Sequence, residues 1–349
     1  SECPSSVDVA KFKAEFLQHY YDANGIPMRT KMIAEFTRLS EITKHVAPLY
    51  NLAFNIPILS GLLKQSIGFA KQRSIPKSHS LTLRAWFNKQ YSILKAKDAK
   101  DDLPLSKKTV YLFCDEFTNY NDVEIGKKAV KLLVALGYEV VMPKHGESGR
   151  TWLSKGLLRQ ARLRAQANVQ TFSKLITDES PLIGIEPSAI LTFRDEYPDL
   201  LRGEEQATAR AIAPNVLMLE EFIDNEIKLG NISRDQFTDS KQEIKLHGHC
   251  QQKAVASLTP TLNVLSYPKN YTVTNIPSGC CGMAGSFGYE KEHYDISMKI
   301  GELVLFPAVR NASTDTLIAA SGTSCRHQIH DGCDKQALHP IEILYSALK

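Results

Sequence analysis

Apolar side chains at Val9, Phe12, Phe16 and Tyr20 recur at helical spacing and stop at Asn24-Gly25, which predicts an amphipathic helix over residues 7–24. From 31 to 94 the pattern stays helical, but Pro48, Pro57 and Pro76 cut it into short pieces. Residues 1–95 therefore read as a helical segment, and 96–108, rich in Lys and Asp, as a solvated connector. The period then changes. Residues 109–113 form a short β-rich run, 121–136 are helical and 138–142 suit a second strand, giving a β-α-β unit. Asn121 and Glu124 have the spacing of a capping box, and Gly137 follows the helix. Further strands are predicted at 182–185, 216–219, 243–247, 271–274 and 316–320, with helices at 152–172 and 290–305. Alternation of this kind implies an α/β fold with parallel sheets.

The pattern also repeats. Tyr138, Val140, Gly146 and Gly149 match Tyr271, Val273, Gly279 and Gly282 at a constant offset of 133 residues. Glu147-Ser148-Gly149 then lies opposite Cys280-Cys281-Gly282, Pro187-Ser188-Ala189 opposite Thr323-Ser324-Cys325, and Cys114 near the place of Cys250. Two pseudo-symmetric halves are expected, 109–230 and 231–349, with cysteines kept only in the second and a site in the cleft between them.

Composition narrows the function. With 349 residues, 43% hydrophobic and 23% charged, the chain is an ordinary globular protein with room for two domains. A net charge of +4 and the lack of a basic, aromatic-studded patch argue against a nucleic-acid partner. The longest apolar stretch, 49–63, is interrupted by Asn51, Asn55 and Pro57 and falls short of the roughly 20 residues a membrane span needs. Seven cysteines, an odd count without a visible signal peptide, favour reduced thiols and a cytoplasmic setting. The opening Ser1-Glu2-Cys3-Pro4 suggests a piece of a longer polypeptide.

Chemistry concentrates in Cys250, the vicinal pair Cys280-Cys281 and Cys325. Soft thiolates select iron–sulfur clusters, zinc or Cu(I). Neighbouring cysteines strain a single-ion chelate but can divide themselves among several irons, so the pair tilts the choice toward a cluster. Gly282 is expected to leave room for backbone beside an inorganic core, and Gly279 to shape the loop. His249 and His327 flank ligand cysteines and suit ligation or supporting hydrogen bonds, ahead of His247 and His330. Arg326 and Lys291 suit offsetting thiolate charge. Cys114 reads as a packing residue, and Cys333, in a turn-like stretch, lies outside the motif. The glycines at 279, 282, 285 and 288 do not fit a dinucleotide loop, and no G-x-S-x-G elbow occurs.

The order Gly248-His249-Cys250, Ser278-Gly279-Cys280-Cys281-Gly282 and Gly322-Thr323-Ser324-Cys325 resembles the cysteine-rich CCG domain. That family includes the cysteine-rich subunit of heterodisulfide reductase, the iron–sulfur subunit of glycolate oxidase and the C-termini of FAD-linked D-2-hydroxyacid dehydrogenases. Cys3-Pro4 resembles the end of a ferredoxin-type [4Fe–4S] motif. Glu186-Pro187-Ser188 and Phe193-Arg194-Asp195-Glu196 look like the fused flavin–iron–sulfur subgroup, the D-lactate or D-2-hydroxyglutarate dehydrogenases.

The resemblance implies an oxidoreductase fragment for electron transfer, with FAD on an upstream domain or subunit. Electrons would pass through the Cys250, Cys280, Cys281 and Cys325 centre to a quinone, a cytochrome or a carrier protein, in the cytoplasm or peripherally at the inner membrane face. Complete family motifs end in two cysteines separated by two residues, whereas Cys325 is followed by Arg326, His327 and Gln328, so the fifth sulfur is missing. Two alternatives stay open: a heterodisulfide-reductase-like catalyst at an open iron, and a zinc-binding or structural interaction module.

Overall fold

The computed structural model describes residues 7–98 and 108–349. Cys3-Pro4 and most of the connector lie outside the described residues.

Among the described residues seven strands form two sheets. β1 (Thr109–Phe113), β2 (Glu139–Val141), β3 (Leu182–Gly184) and β4 (Val216–Met218) make a sheet of order β2-β1-β3-β4. β5 (Gln242–His247), β6 (Tyr271–Ile276) and β7 (Leu317–Ala320) make a second of order β6-β5-β7. Every pairing is parallel, as the alternating pattern requires. The predicted repeat appears in the order of both sheets and in their registers: Leu112 pairs with Ile183, and Leu246 with Ala319, at matching points of the two halves. Val110 and Leu112 of β1 and Ile244 and Leu246 of β5 are buried. Each contributes roughly 1.5–3 kcal/mol from leaving water.

The N-terminal part is helical, as expected, with helices Val9–Asn24, Met28–Ala34, Phe36–Thr43, Ala47–Asn55, Pro57–Ser66 and Leu83–Asp98. Asp8 caps the first by accepting from the N–H groups of Ala10 and Lys11. Its apolar stripe is not buried: Val9, Phe12, Phe16 and Tyr20 are all exposed. Leu49, Leu52, Ile58 and Leu62 are likewise exposed on the two helices around Pro57. Among the described residues no single helix is long and apolar enough to cross a membrane.

Three expectations need correction. The Asn121–Glu124 capping box does not form, because the helix begins at Val123. Asn121 instead closes the preceding helix and donates to the Lys77 carbonyl at 2.8 Å, and Glu124 pairs with Lys127. The helix predicted over 152–172 is two, Arg150–Ser154 and Leu158–Phe172, broken where Gly156 takes φ +71°. The segment 290–305 is helical only from Tyr294 to Leu303, after which a new helix starts at Leu305.

Candidate metal centre

Parallel strands deliver the loops at their C-terminal ends to one edge of a sheet, and there the cysteines meet. β5 ends at His247. Two residues later His249 caps the helix Cys250–Val255, its Nδ1 accepting from the Gln251 N–H at 3.2 Å. The loop after β6 carries Cys280 and Cys281, and β7 leads through Gly322 into the helix Thr323–Cys333 with Cys325 in its first turn. Two of the four thiols therefore sit at helix N-termini, where the backbone field favours thiolate.

The sulfurs are in contact in sequence: Cys250 with Cys280, Cys280 with Cys281, and Cys281 with Cys325. Donation from the Cys250 thiol, then from Cys281 and the Gly282 and Ala284 N–H groups, holds Cys280 well below the usual thiol range. The same bond, with burial, pushes Cys250 up. Cys281 is raised by its bonds to Cys280 and Cys325 and by burial. Its thiol in turn draws Cys325 down against burial, helped by His247 and His249. The shifts thus alternate in direction along the row, and Cys280 and Cys325 are the pair favoured for deprotonation. Soft metals require such deprotonated donors. His247 joins them: one of its ring nitrogens and the sulfurs of Cys281 and Cys325 all lie within 4.8 Å of one another.

The loop is braced from behind. Gly282 has φ +101°, and a Cβ there would stand 2.3 Å from the Ser297 carbonyl oxygen. Its glycine is therefore demanded by the neighbouring helix Tyr294–Leu303. Nothing lies within 4 Å of a Cβ at Gly279, whose carbonyl, with that of Ser278, accepts from Lys253. Gln328 is buried and donates to the carbonyls of Cys281 (2.8 Å) and Ser297 (3.0 Å). Its own oxygen accepts from Arg73, a fully buried guanidinium that also donates to Gly288 O and Ser297 Oγ, both at 2.7 Å, and pairs with Asp331 at 3.3 Å. Gly322 lets a ring approach, since a Cβ there would lie 2.4 Å from Cδ2 of His249.

The histidines divide differently from the sequence expectation. His247 and His249 face the thiols. His327 lies two residues beyond Cys325 on the same helix, about 200° around it, and its Nδ1 bonds Ser74 Oγ at 2.8 Å. His330 is exposed beside Asp331. Arg326 is tied down by the carbonyls of Ala320 and Ser321 and by Asp122. The Cys333 thiol bonds the Phe306 carbonyl at 3.8 Å and packs against the core that includes Ile329, outside the row of thiols. Arg73 and Gln328 carried no local signal, because their roles depend on chain far away in sequence. Glu186, from the loop after β3, accepts from the Thr323 N–H at 2.9 Å and hydroxyl at 3.1 Å and lies 3.9 Å from His249, so the site borders the first half.

At the matching edge of that first half the cysteines are replaced by a polar network. The helix Glu116–Tyr120 is capped by Asp115 as Cys250–Val255 is by His249, so Glu116, and not Cys114, stands in the place of Cys250. Cys114 is buried, and burial pushes its thiol up to about 12. Glu116 accepts from the Ser148 N–H at 3.0 Å and hydroxyl at 2.7 Å. Glu147 accepts from Trp152 Nε1 and Arg164 Nε. Ala189 occupies the Cys325 position, three residues beyond the helix cap in both halves.

Fold and site together define a parallel α/β protein with a cysteine-rich site competent for a soft metal. No protein-family model matches the chain. It is similar to D-2-hydroxyglutarate dehydrogenase of Escherichia coli K12, 25% identical over 352 residues, covering all of this chain and 33% of the relative. The Pantoea ananatis enzyme of the same name is 24% identical, covering 99% of this chain and 33% of that protein. A subunit of the anaerobic glycerol-3-phosphate dehydrogenase of E. coli K12 is 26% identical, covering 94% of this chain and 79% of that subunit. The chain spans about a third of the length of the D-2-hydroxyglutarate dehydrogenases it matches.

Proposed function

We propose that this chain is the iron–sulfur electron-transfer portion of a flavin-linked D-2-hydroxyacid dehydrogenase of the CCG type. The observation that carries the proposal is the convergence of Cys250, Cys280, Cys281 and Cys325 from three strand-end loops onto one contact row. The dehydrogenase relatives support an electron-transfer role for such a part. The four thiolates would hold the cluster, which when bound takes up and releases single electrons. Gly282 and Gln328 set the loop, Lys253 fixes its entry, and the residues' task is to place the group and tune its potential. FAD would sit on another domain or subunit, and the acceptor would be a quinone, a cytochrome or a carrier protein. Cys3 would serve a separate ferredoxin-type cluster in the longer polypeptide. The proposed units are 1–95, 96–108, 109–230 and 231–349, working in a reducing, cytoplasmic compartment.

One observation favours a second reading. Sulfurs in mutual contact with an imidazole nitrogen beside them make a compact donor set of the kind a single zinc ion takes.

Iron, zinc and acid-labile sulfide per chain, measured on anaerobically purified protein beside a Cys280→Ser/Cys281→Ser variant, separate the readings. Iron and sulfide at cluster stoichiometry, lost in the variant, support electron transfer. Stoichiometric zinc without sulfide supports the second reading, and neither metal after anaerobic reconstitution overturns both.

A further inference from the structure

His247 closes β5 with its side chain fully buried. Its Nδ1 is engaged by Ser278 Oγ at 2.7 Å, whereas its Nε2 is buried with no oxygen or nitrogen partner, beside the thiols of Cys281 and Cys325. A buried ring nitrogen without such a partner is costly and calls for an explanation. Among the described residues several other buried polar atoms also lack partners, including carboxylate oxygens of Glu147, Glu196 and Glu220. Only His247 among them is grouped with cysteines, with a ring nitrogen within 4.8 Å of the Cys281 and Cys325 sulfurs. Because Ser278 holds Nδ1, Nε2 is the nitrogen left to face a metal.

The hydrogen bond on the far side of the ring matters as much. A metal-bound imidazole ordinarily gives its second N–H to an oxygen acceptor, which fixes tautomer and orientation. Ser278 is such an acceptor, and its place two residues before Cys280 ties the ring's orientation to the cysteine loop itself. Gln328, three residues after Cys325, cannot contribute a donor to the centre, because its amide is committed to Cys281, Ser297 and Arg73.

We propose that His247 is a nitrogen ligand of the metal centre, with Nε2 bound to the metal and Nδ1–H donated to Ser278. The inference rests on the metal centre proposed above. The donor set is then four sulfurs and one imidazole nitrogen, and the ligands come from all three strands of the second sheet.

The test uses the anaerobically purified chain after its iron, zinc and sulfide have been measured. Pulsed electron paramagnetic resonance on protein labelled with 15N-histidine reads nitrogen bound to the reduced iron centre, or to cobalt(II) exchanged for zinc. We expect a strong histidine nitrogen coupling in the unsubstituted protein, kept in His249→Gln and lost in His247→Gln. The labelled wild type is decisive even if a variant fails to fold. Metal present with no strongly coupled nitrogen, or coupling that vanishes in His249→Gln but survives in His247→Gln, overturns the assignment alone. No metal after reconstitution removes the centre and this ligand with it.

Discussion

Glu116 holds Ser148 twice, through its backbone N–H at 3.0 Å and its hydroxyl at 2.7 Å, at the positions that Cys250 and Cys281 occupy in the other half. A buried carboxylate pair of bonds thus spans the gap between two loops that thiols face in the second half. Glu116→Ala should leave the Ser148 N–H and O–H donors without their acceptor and lower stability by about 3 kcal/mol. Urea denaturation should record that loss, with the metal content of the chain unchanged.

Gly282 and Gly279 make a matched pair. Gly282→Ala forces a Cβ to 2.3 Å from a backbone oxygen at positive φ, and should cost at least about 2 kcal/mol. It should also reduce bound metal, because the Cys281 loop must shift. Gly279→Ala meets open space and should stay within about 0.5 kcal/mol of wild type. Thermal unfolding and metal content on the two variants, side by side, check the contrast.

Arg73 is buried with four partners, so Arg73→Ala strands Asp331 and Gln328 without their cation and should cost about 3–5 kcal/mol. Arg73→Lys should recover little of this, since an ammonium cannot reproduce the planar fork. Chemical denaturation of the two variants tests it, and near-complete rescue by lysine would contradict the bonding described.

Glu220 is buried with one oxygen unpartnered, and burial raises its carboxyl to about 8. The Asp115 carboxyl is raised to about 8 by the same cause. Unfolded, such groups ionise near 4. For an acid raised on folding, the native state binds more protons between those values, so stability is full below pH ~4 and falls as pH rises to about 8. Glu220→Gln should remove part of that slope, at most about 1.4 kcal/mol per pH unit. Melting temperatures from pH 5 to 9 should show the variant gaining on wild type with rising pH.

Much of the framework was legible in the sequence. The offset of 133 residues brought matching strands into one frame, and the structure repeats them in the same sheet order. The four cysteines were legible because soft donors flanked by glycine have few other uses. What escaped depended on distance along the chain. Arg73 reaches Gln328 across 255 positions, and no local pattern marks it. His247 looked like the end of a strand until burial and the neighbouring loop gave its free nitrogen a direction. Cys114 drew attention from Glu116 by residue type, and only the helix cap at Asp115 fixed the correspondence. The apolar stripe of the first helix set its type correctly but not its surroundings, since period reports which face is apolar and not what covers it.

The doubled edge supplies an internal reference. Amide exchange at Gly149 and Gly282, two left-handed turns at equivalent places, can be followed in one sample, at one pH and one temperature. The carboxylate-laced turn reports how firmly ordinary hydrogen bonds hold this shape. Protection that the sulfur-lined turn gains on adding metal and loses on chelation would measure what a bound metal contributes.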